Sequence, residues 1–100
     1  MVIDLERIVG FDWDDGNARK GEKHGVSQSE AEQIFFDVRL LMVVDTVHSA
    51  DESRFHALAT TLDGRRLHVT FTLRDDGTRI RIISARDMHR KERQIYERED

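Results

Sequence analysis

Arg66-Leu67-His68-Val69-Thr70-Phe71-Thr72-Leu73-Arg74-Asp75-Asp76-Gly77-Thr78-Arg79-Ile80-Arg81-Ile82-Ile83-Ser84-Ala85 is the stretch that decides the fold. Leu67, Val69, Phe71 and Leu73 alternate with His68, Thr70, Thr72 and Arg74, the period of a strand with one buried face. Ile80 and Ile82 must join the face of Phe71 and Leu73. A two-residue Asp76-Gly77 turn achieves this, pairing Leu73 with Ile80, Thr72 with Arg81 and Arg74 with Arg79. Upstream, Asp63-Gly64 marks a second hairpin. A two-residue turn there would set Arg54 opposite Leu73 on the apolar side. A three-residue loop with Gly64 as the left-handed bulge residue instead pairs Phe55 with Phe71 and Arg54 with Thr72, and burial favours it. Strands are therefore expected at 40–45, 54–61, 66–73 and 79–85.

Outward from this meander, residues 6–13 around Phe11 and Trp13 predict a short strand. Asp14 or Asp15 can N-cap a helix running to about His24, where Gly25 supplies a left-handed C-terminal residue; Gly16 and Gly21 weaken it. Ser27 and Glu30 form a capping box for a helix over 28–36, with Val26 and Ala31 placed as a hydrophobic staple. Met88, Ile95 and Tyr96 predict a final helix over 87–98. The sum is an α+β fold: a single antiparallel sheet of four to five strands, two N-terminal helices and one C-terminal helix.

The chain has 100 residues, 38% hydrophobic and 36% charged, a length and composition suited to one soluble domain. It has no Cys, which excludes disulfides, thiolate metal sites and a cysteine nucleophile. The longest apolar run, Leu40 to Val44, is far short of the ~20 residues of a membrane span. The acidic start Asp4-Leu5-Glu6 is unlike a signal peptide, so a cytoplasmic location without membrane contact is expected. The net charge of −4 is unevenly spread: residues 79–98 carry +4, leaving −8 for the remainder.

On the registers above, Arg54, Thr72 and Arg81 line up across three strands on the solvent-facing side, with Arg74 and Arg79 beside them. Like charges on neighbouring positions repel, so folding alone is a poor reason for this row. Arginine forks suit phosphate; the other reading pairs them with the excess acids elsewhere. Lys23-His24 at a helix end reads either as a proton-transfer group or as a cap on the helix dipole. His48, His56, His68 and His89 show no metal-ligand spacing, and the chain has no Gly-rich phosphate loop or serine elbow, so no metal and no cofactor are expected. One reaction needs neither: cleavage of RNA by its own 2′-hydroxyl, with arginines stabilising the phosphorane and a nearby side chain moving protons.

Many short motifs in order carry a family resemblance. They are Phe11-Asp12-Trp13-Asp14, Lys23-His24-Gly25-Val26-Ser27, Glu30-Ala31 with Phe35-Phe36-Asp37, Arg54-Phe55, Asp63-Gly64-Arg65, Phe71-Thr72, and Ile80-Arg81-Ile82-Ile83-Ser84-Ala85-Arg86 with Glu92-Arg93 and Tyr96. Over residues 11–97 the chain resembles the BrnT toxin family, with departures at Gly21, Val38 and Ala59. The resemblance implies a RelE-like toxin domain over 1–100, residues 1–10 being an N-terminal extension, in a type II toxin–antitoxin pair. It further implies a BrnA-like antitoxin bound as a hetero-oligomer, and endoribonuclease action on messenger RNA. On this reading Arg54, Arg74 and Arg81 hold the scissile phosphate, and His24 with Lys23 transfers protons. Arg79, Arg86, Arg90 and Arg93 guide the strand, and Tyr96 stacks on RNA, transfers protons in place of His24, or sits in the core. The alternative is a non-enzymatic module that binds antitoxin or RNA without cutting.

Overall fold

Two hairpin turns set the sheet. The computed structural model describes residues 3–49 and 51–98; residues 1 and 2 of the expected N-terminal extension lie outside the described residues. Strands β2 (Leu41–Asp45), β3 (Arg54–Thr60), β4 (Arg66–Arg74) and β5 (Arg79–Asp87) form an antiparallel meander. Between β3 and β4 the loop is the three-residue form: Thr61 N–H donates to Arg65 C=O at 2.8 Å, and Gly64 has φ +87°. Phe55 consequently pairs with Phe71 and Arg54 with Thr72, as expected.

Between β4 and β5 the expected register holds, with Leu73 opposite Ile80, Thr72 opposite Arg81 and Arg74 opposite Arg79. The connection is not a two-residue turn. Residues 75–78 form a longer turn in which Asp75 (φ 54°), Asp76 (φ 57°) and Gly77 (φ 82°) are consecutively left-handed. Aspartate tolerates that conformation better than most side chains, which is why the loop can be built from this sequence.

The expectation of a purely antiparallel sheet is corrected. The sheet has five strands in the order β1-β5-β4-β3-β2 and is mixed, because β1 (Gly10–Phe11) runs parallel to β5. The expected strand over 6–13 shrinks to these two residues, preceded by a 3-10 turn at Leu5–Arg7. Hairpins force antiparallel neighbours, but β1 reaches β5 by a long connection and is free to lie along its open edge in either direction.

Helix α1 (Asp15–Lys23) is N-capped by Asp14 in a capping box with Asn17, and Gly25 (φ 67°) follows its C-cap, His24. Ser27 and Glu30 form the expected box at the start of α2 (Gln28–Gln33). The expected helix over 28–36 ends earlier, its last turn tightening to 3-10 at Ile34–Phe36 so that Ile34 and Phe35 drop onto the sheet. Phe35 meets Phe71 edge-on at 5.0 Å, and Phe71 stacks on Phe55 at 5.4 Å. Such aromatic pairs are worth about 0.5–1.5 kcal/mol beyond their buried area. Val26, Ala31, Ala57, Leu67, Val69, Ile80, Ile82 and Ala85 complete this core. Helix α3 (Arg90–Arg98) packs on one end of the opposite face, around Leu58, Met88 and Tyr96.

Strand β5 carries a bulge: Phe71 pairs with Ile82 but Thr70 pairs with Ser84, leaving Ile83 as an extra residue. Asn17, 4% exposed, braces it from α1. Its side-chain amide donates to Ile82 C=O (2.9 Å) and Asp12 C=O (2.8 Å), while its oxygen accepts from Asp14 N–H (2.7 Å). Replacing Asn17 by Ala strands three backbone groups, two of them carbonyls at the edge of the core. We expect a loss of about 2–3 kcal/mol, measured as a lower urea midpoint at unchanged slope.

Candidate nucleic-acid interface

The face opposite α2 presents three rows across β2, β3, β4 and β5. They are Asp45–Arg54–Thr72–Arg81, Val43–His56–Thr70–Ser84 and Leu41–Leu58–His68–Arg86. The row Arg54–Thr72–Arg81 is the one expected from the alternation of the strands.

Arg54, Arg74 and Arg81, from three adjacent strands, line one cleft of about 270 Å³ with Lys20 and Asn17 of α1 and Glu52. The two readings of the arginines turn out to apply to different side chains. Arg81 is not freely solvent-facing: its side chain is 18% exposed and lies between Asp14 (3.1 Å) and Asp12 (3.5 Å). The Asp14 hydrogen bond raises its pKa and in turn lowers that of Asp14. Arg74 reaches Glu52 at 3.2 Å, and its Nε is buried without a partner. Arg54 has no acidic partner among the described residues. Arg79 sits at the sheet end, bonded to Asp75 at 3.1 Å, and does not line the cleft.

Lys23 and His24 are not brought to this cleft. Arg81 is tied to Asp14, the N-cap of α1, and His24 closes the other end of that helix, about 15 Å from Asp14 along its axis. There Arg65 donates to the carbonyls of His24 (3.3 Å) and Gly25 (2.8 Å) while gripping Asp87 at 2.8 Å. The C-cap reading of His24 therefore describes its position. Tyr96 is also corrected as a stacking residue. It is 2% exposed, with its hydroxyl bonded to Asp37 (2.5 Å) and Thr60 (2.9 Å), so no face of the ring is open to a base. Arg86 forms a two-point ion pair with Glu92 (2.7 and 2.8 Å), which holds Glu92 at about 2 despite its burial. Arg90 and Arg93 are exposed on α3.

Four site residues escaped the sequence reading. His56 is bonded through Nε2 to Asp45 (2.9 Å) and through Nδ1 to Thr70 (3.1 Å). His68 lies beside it, ring centroids 4.9 Å apart. Asp45 is buried, and the N–H of His48 holds its carboxyl well below the usual carboxylate range, helped by the His48 and His56 rings and opposed by desolvation. The signal was available: His56, His68 and Thr70 occupy the same alternate positions as Arg54 and Thr72. Among the described residues no group of three His, Cys, Asp or Glu side chains is arranged to hold a metal ion. No helix among them is long and apolar enough to cross a membrane.

Residues 13–92, four fifths of the chain, match the model of a family described as a ribonuclease toxin, BrnT, of type II toxin–antitoxin systems. No curated protein matches the chain significantly.

His68 also supplies a pH test. Burial, with Arg86 next, lowers its pKa to about 4 against the opposing pull of Glu92. The folded pKa lies below the unfolded value, so the neutral ring's contribution is complete above about pH 6.5 and is lost as pH falls towards 4. The unfolding free energy from urea titrations across that window should fall for the wild type by on the order of 2 kcal/mol more than for His68→Gln. Parallel pH curves for the two proteins would refute the assignment.

Proposed function

We propose a function from one premise: this chain belongs to the BrnT family, the ribonuclease toxins of type II toxin–antitoxin systems. On our reading it is a RelE-like, metal-independent endoribonuclease that cuts messenger RNA and is held silent by a BrnA-like antitoxin. The observation that carries this is the cleft in which Arg54, Arg74 and Arg81 converge from three strands. A phosphate seated there meets guanidinium forks on several sides. Arg54, without an acid of its own among the described residues, is the group free to bind it bidentately. As the 2′-hydroxyl attacks phosphorus in line, negative charge gathers on the equatorial oxygens, where fixed cations act most strongly. The 2′-hydroxyl gives up its proton to water as its oxygen bonds to phosphorus, the P–O5′ bond breaks, and the departing 5′-oxygen takes a proton from water, leaving a 2′,3′-cyclic phosphate and a 5′-hydroxyl with no metal needed for charge balance. Lys20 adds a further cation to the cleft. Arg86, Arg90 and Arg93 would guide the strand along α3, and Arg79 at the sheet end; Lys23, one turn beyond Lys20, and His24 do not line the cleft.

The family's second partner follows from the same surface. An antitoxin segment carrying Asp or Glu fits the cleft by charge and would exclude RNA from it.

Arg54→Ala is the sharp test, since it removes cationic charge without breaking an ion pair or opening the core. Cleavage of RNA by the purified toxin in excess EDTA should fall by ~10²-fold or more. The melting temperature should shift little. Wild-type products should end in 2′,3′-cyclic phosphate. Activity that vanishes on chelation and returns with magnesium would overturn the mechanism; RNA that is bound and never cut would favour the non-enzymatic module.

A further inference from the structure

Beside the cleft lies a second depression on the same face, about 480 Å³, walled by Leu41, Val43, Leu58 and Ile95 and floored in part by the His56 and His68 rings. Helix α3 covers the far end of this face but leaves Val43 56% and Ile95 49% exposed. We propose that this groove is a nucleobase subsite, taking the base next to the phosphate held by Arg54, Arg74 and Arg81; the proposal rests on the RNA reading above.

Three features fit a base. First, the groove neighbours the phosphate cleft on the same face of the sheet. His56 follows Arg54 by two residues on the same face of β3, about 6.6 Å along the strand, within the reach of one nucleotide. Second, its surface matches the two chemistries of a base. Aliphatic walls and the half-exposed His56 ring, itself packed on His68 at a centroid distance of 4.9 Å, offer stacking area, while the Arg86–Glu92 pair lines the groove for a polar edge. The His56 ring is pre-set by its bonds to Asp45 and Thr70, so little side-chain freedom is lost on binding. Third, the surrounding charge suits a polyanion: the cleft arginines lie on one side and the exposed Arg90, Lys91 and Arg93 of α3 on the other. An apolar peptide side chain would use the aliphatic walls but has no call on this cationic border.

The test compares two uncleavable ligands with equal phosphates, a 2′-O-methyl hexa-adenylate and the same backbone with every base removed, by fluorescence anisotropy. The wild type should bind the base-bearing oligomer about tenfold or more tightly. The variant Val43→Ser/Ile95→Ser, altered at two exposed positions, should bring the two ligands within a few-fold of each other. The salt dependence of binding, which counts phosphate contacts, should not change. Equal binding of both ligands by a wild type that Arg54→Ala weakens removes the subsite and leaves the phosphate cleft standing. Binding indifferent to Arg54→Ala, or none at all, removes both. A variant that keeps the full base preference but loosens its hold on the antitoxin would give the groove to the antitoxin and overturn the proposal.

Discussion

At Ile82-Ile83 strand β5 holds one residue more than its partner, and the functional face depends on that surplus. In an unbroken strand Arg81 and Arg86, five positions apart, would point to opposite faces. The bulge resets the alternation, so that Arg81 stands opposite Thr72 and Arg86 opposite His68, both on the face away from α2. It also returns Ala85 to the core, where it is 2% exposed. One extra residue thereby places the phosphate cleft and the α3 groove on the same face of the sheet. The Asn17 amide, bonded to the carbonyl of Ile82, links that irregularity to the start of α1. The same first turn of α1 supplies Asp14 to Arg81, so local backbone geometry and local charge are set by one helix start.

Acidic residues make the arginine cluster tolerable. Arg74 and Arg81 would repel each other and Arg54 across a narrow sheet surface. Glu52 and the pair Asp12 and Asp14 lower that cost by standing beside two of the three. These acids also stand in the way of an incoming phosphate. The cleft is therefore partly neutralised at rest, and Arg54 is the point at which an anion meets uncompensated charge. This arrangement explains how a chain of net charge −4 can present a local anion site.

The registers were legible because each rests on one local decision. Gly64 needs its left-handed backbone, Phe55 needs a buried partner, and only the three-residue loop satisfies both. Capping at Asp14 and Ser27 was equally local. What escaped was non-local. The direction of β1 depends on how a long connection returns to the free edge of β5, and no pattern within residues 6–13 encodes it. The bulge was hidden because Ile82 and Ile83 are both acceptable core residues, so hydrophobicity cannot say which is surplus. Lys23-His24 looked like a site because the pair is cationic and follows a helix. His24 closes the end of α1 opposite the one that Asp14 ties to Arg81, a placement that sequence spacing alone does not convert into geometry.

Asp45 joins the site to the fold. Its carboxylate accepts the N–H groups of Val47 and His48 at 3.0 Å each and binds the rings of His48 and His56, while its carbonyl accepts the Ser49 hydroxyl. Ser49 Oγ in turn accepts the backbone N–H of Arg54 at 3.0 Å. The β2–β3 connection is thus drawn back onto the first residue of β3, and the segment carrying Glu52 is delivered beside Arg74. A carboxylate that satisfies so many donors stays ionised under burial, and a buried anion of this kind tolerates no alternative loop path without losing them. Arg54 owes its position to this knot on one side and to its pairing with Thr72 on the other, whose hydroxyl donates to Ser53 C=O at 2.7 Å. The guanidinium is left without an acidic partner among the described residues, on a backbone tied down from both sides.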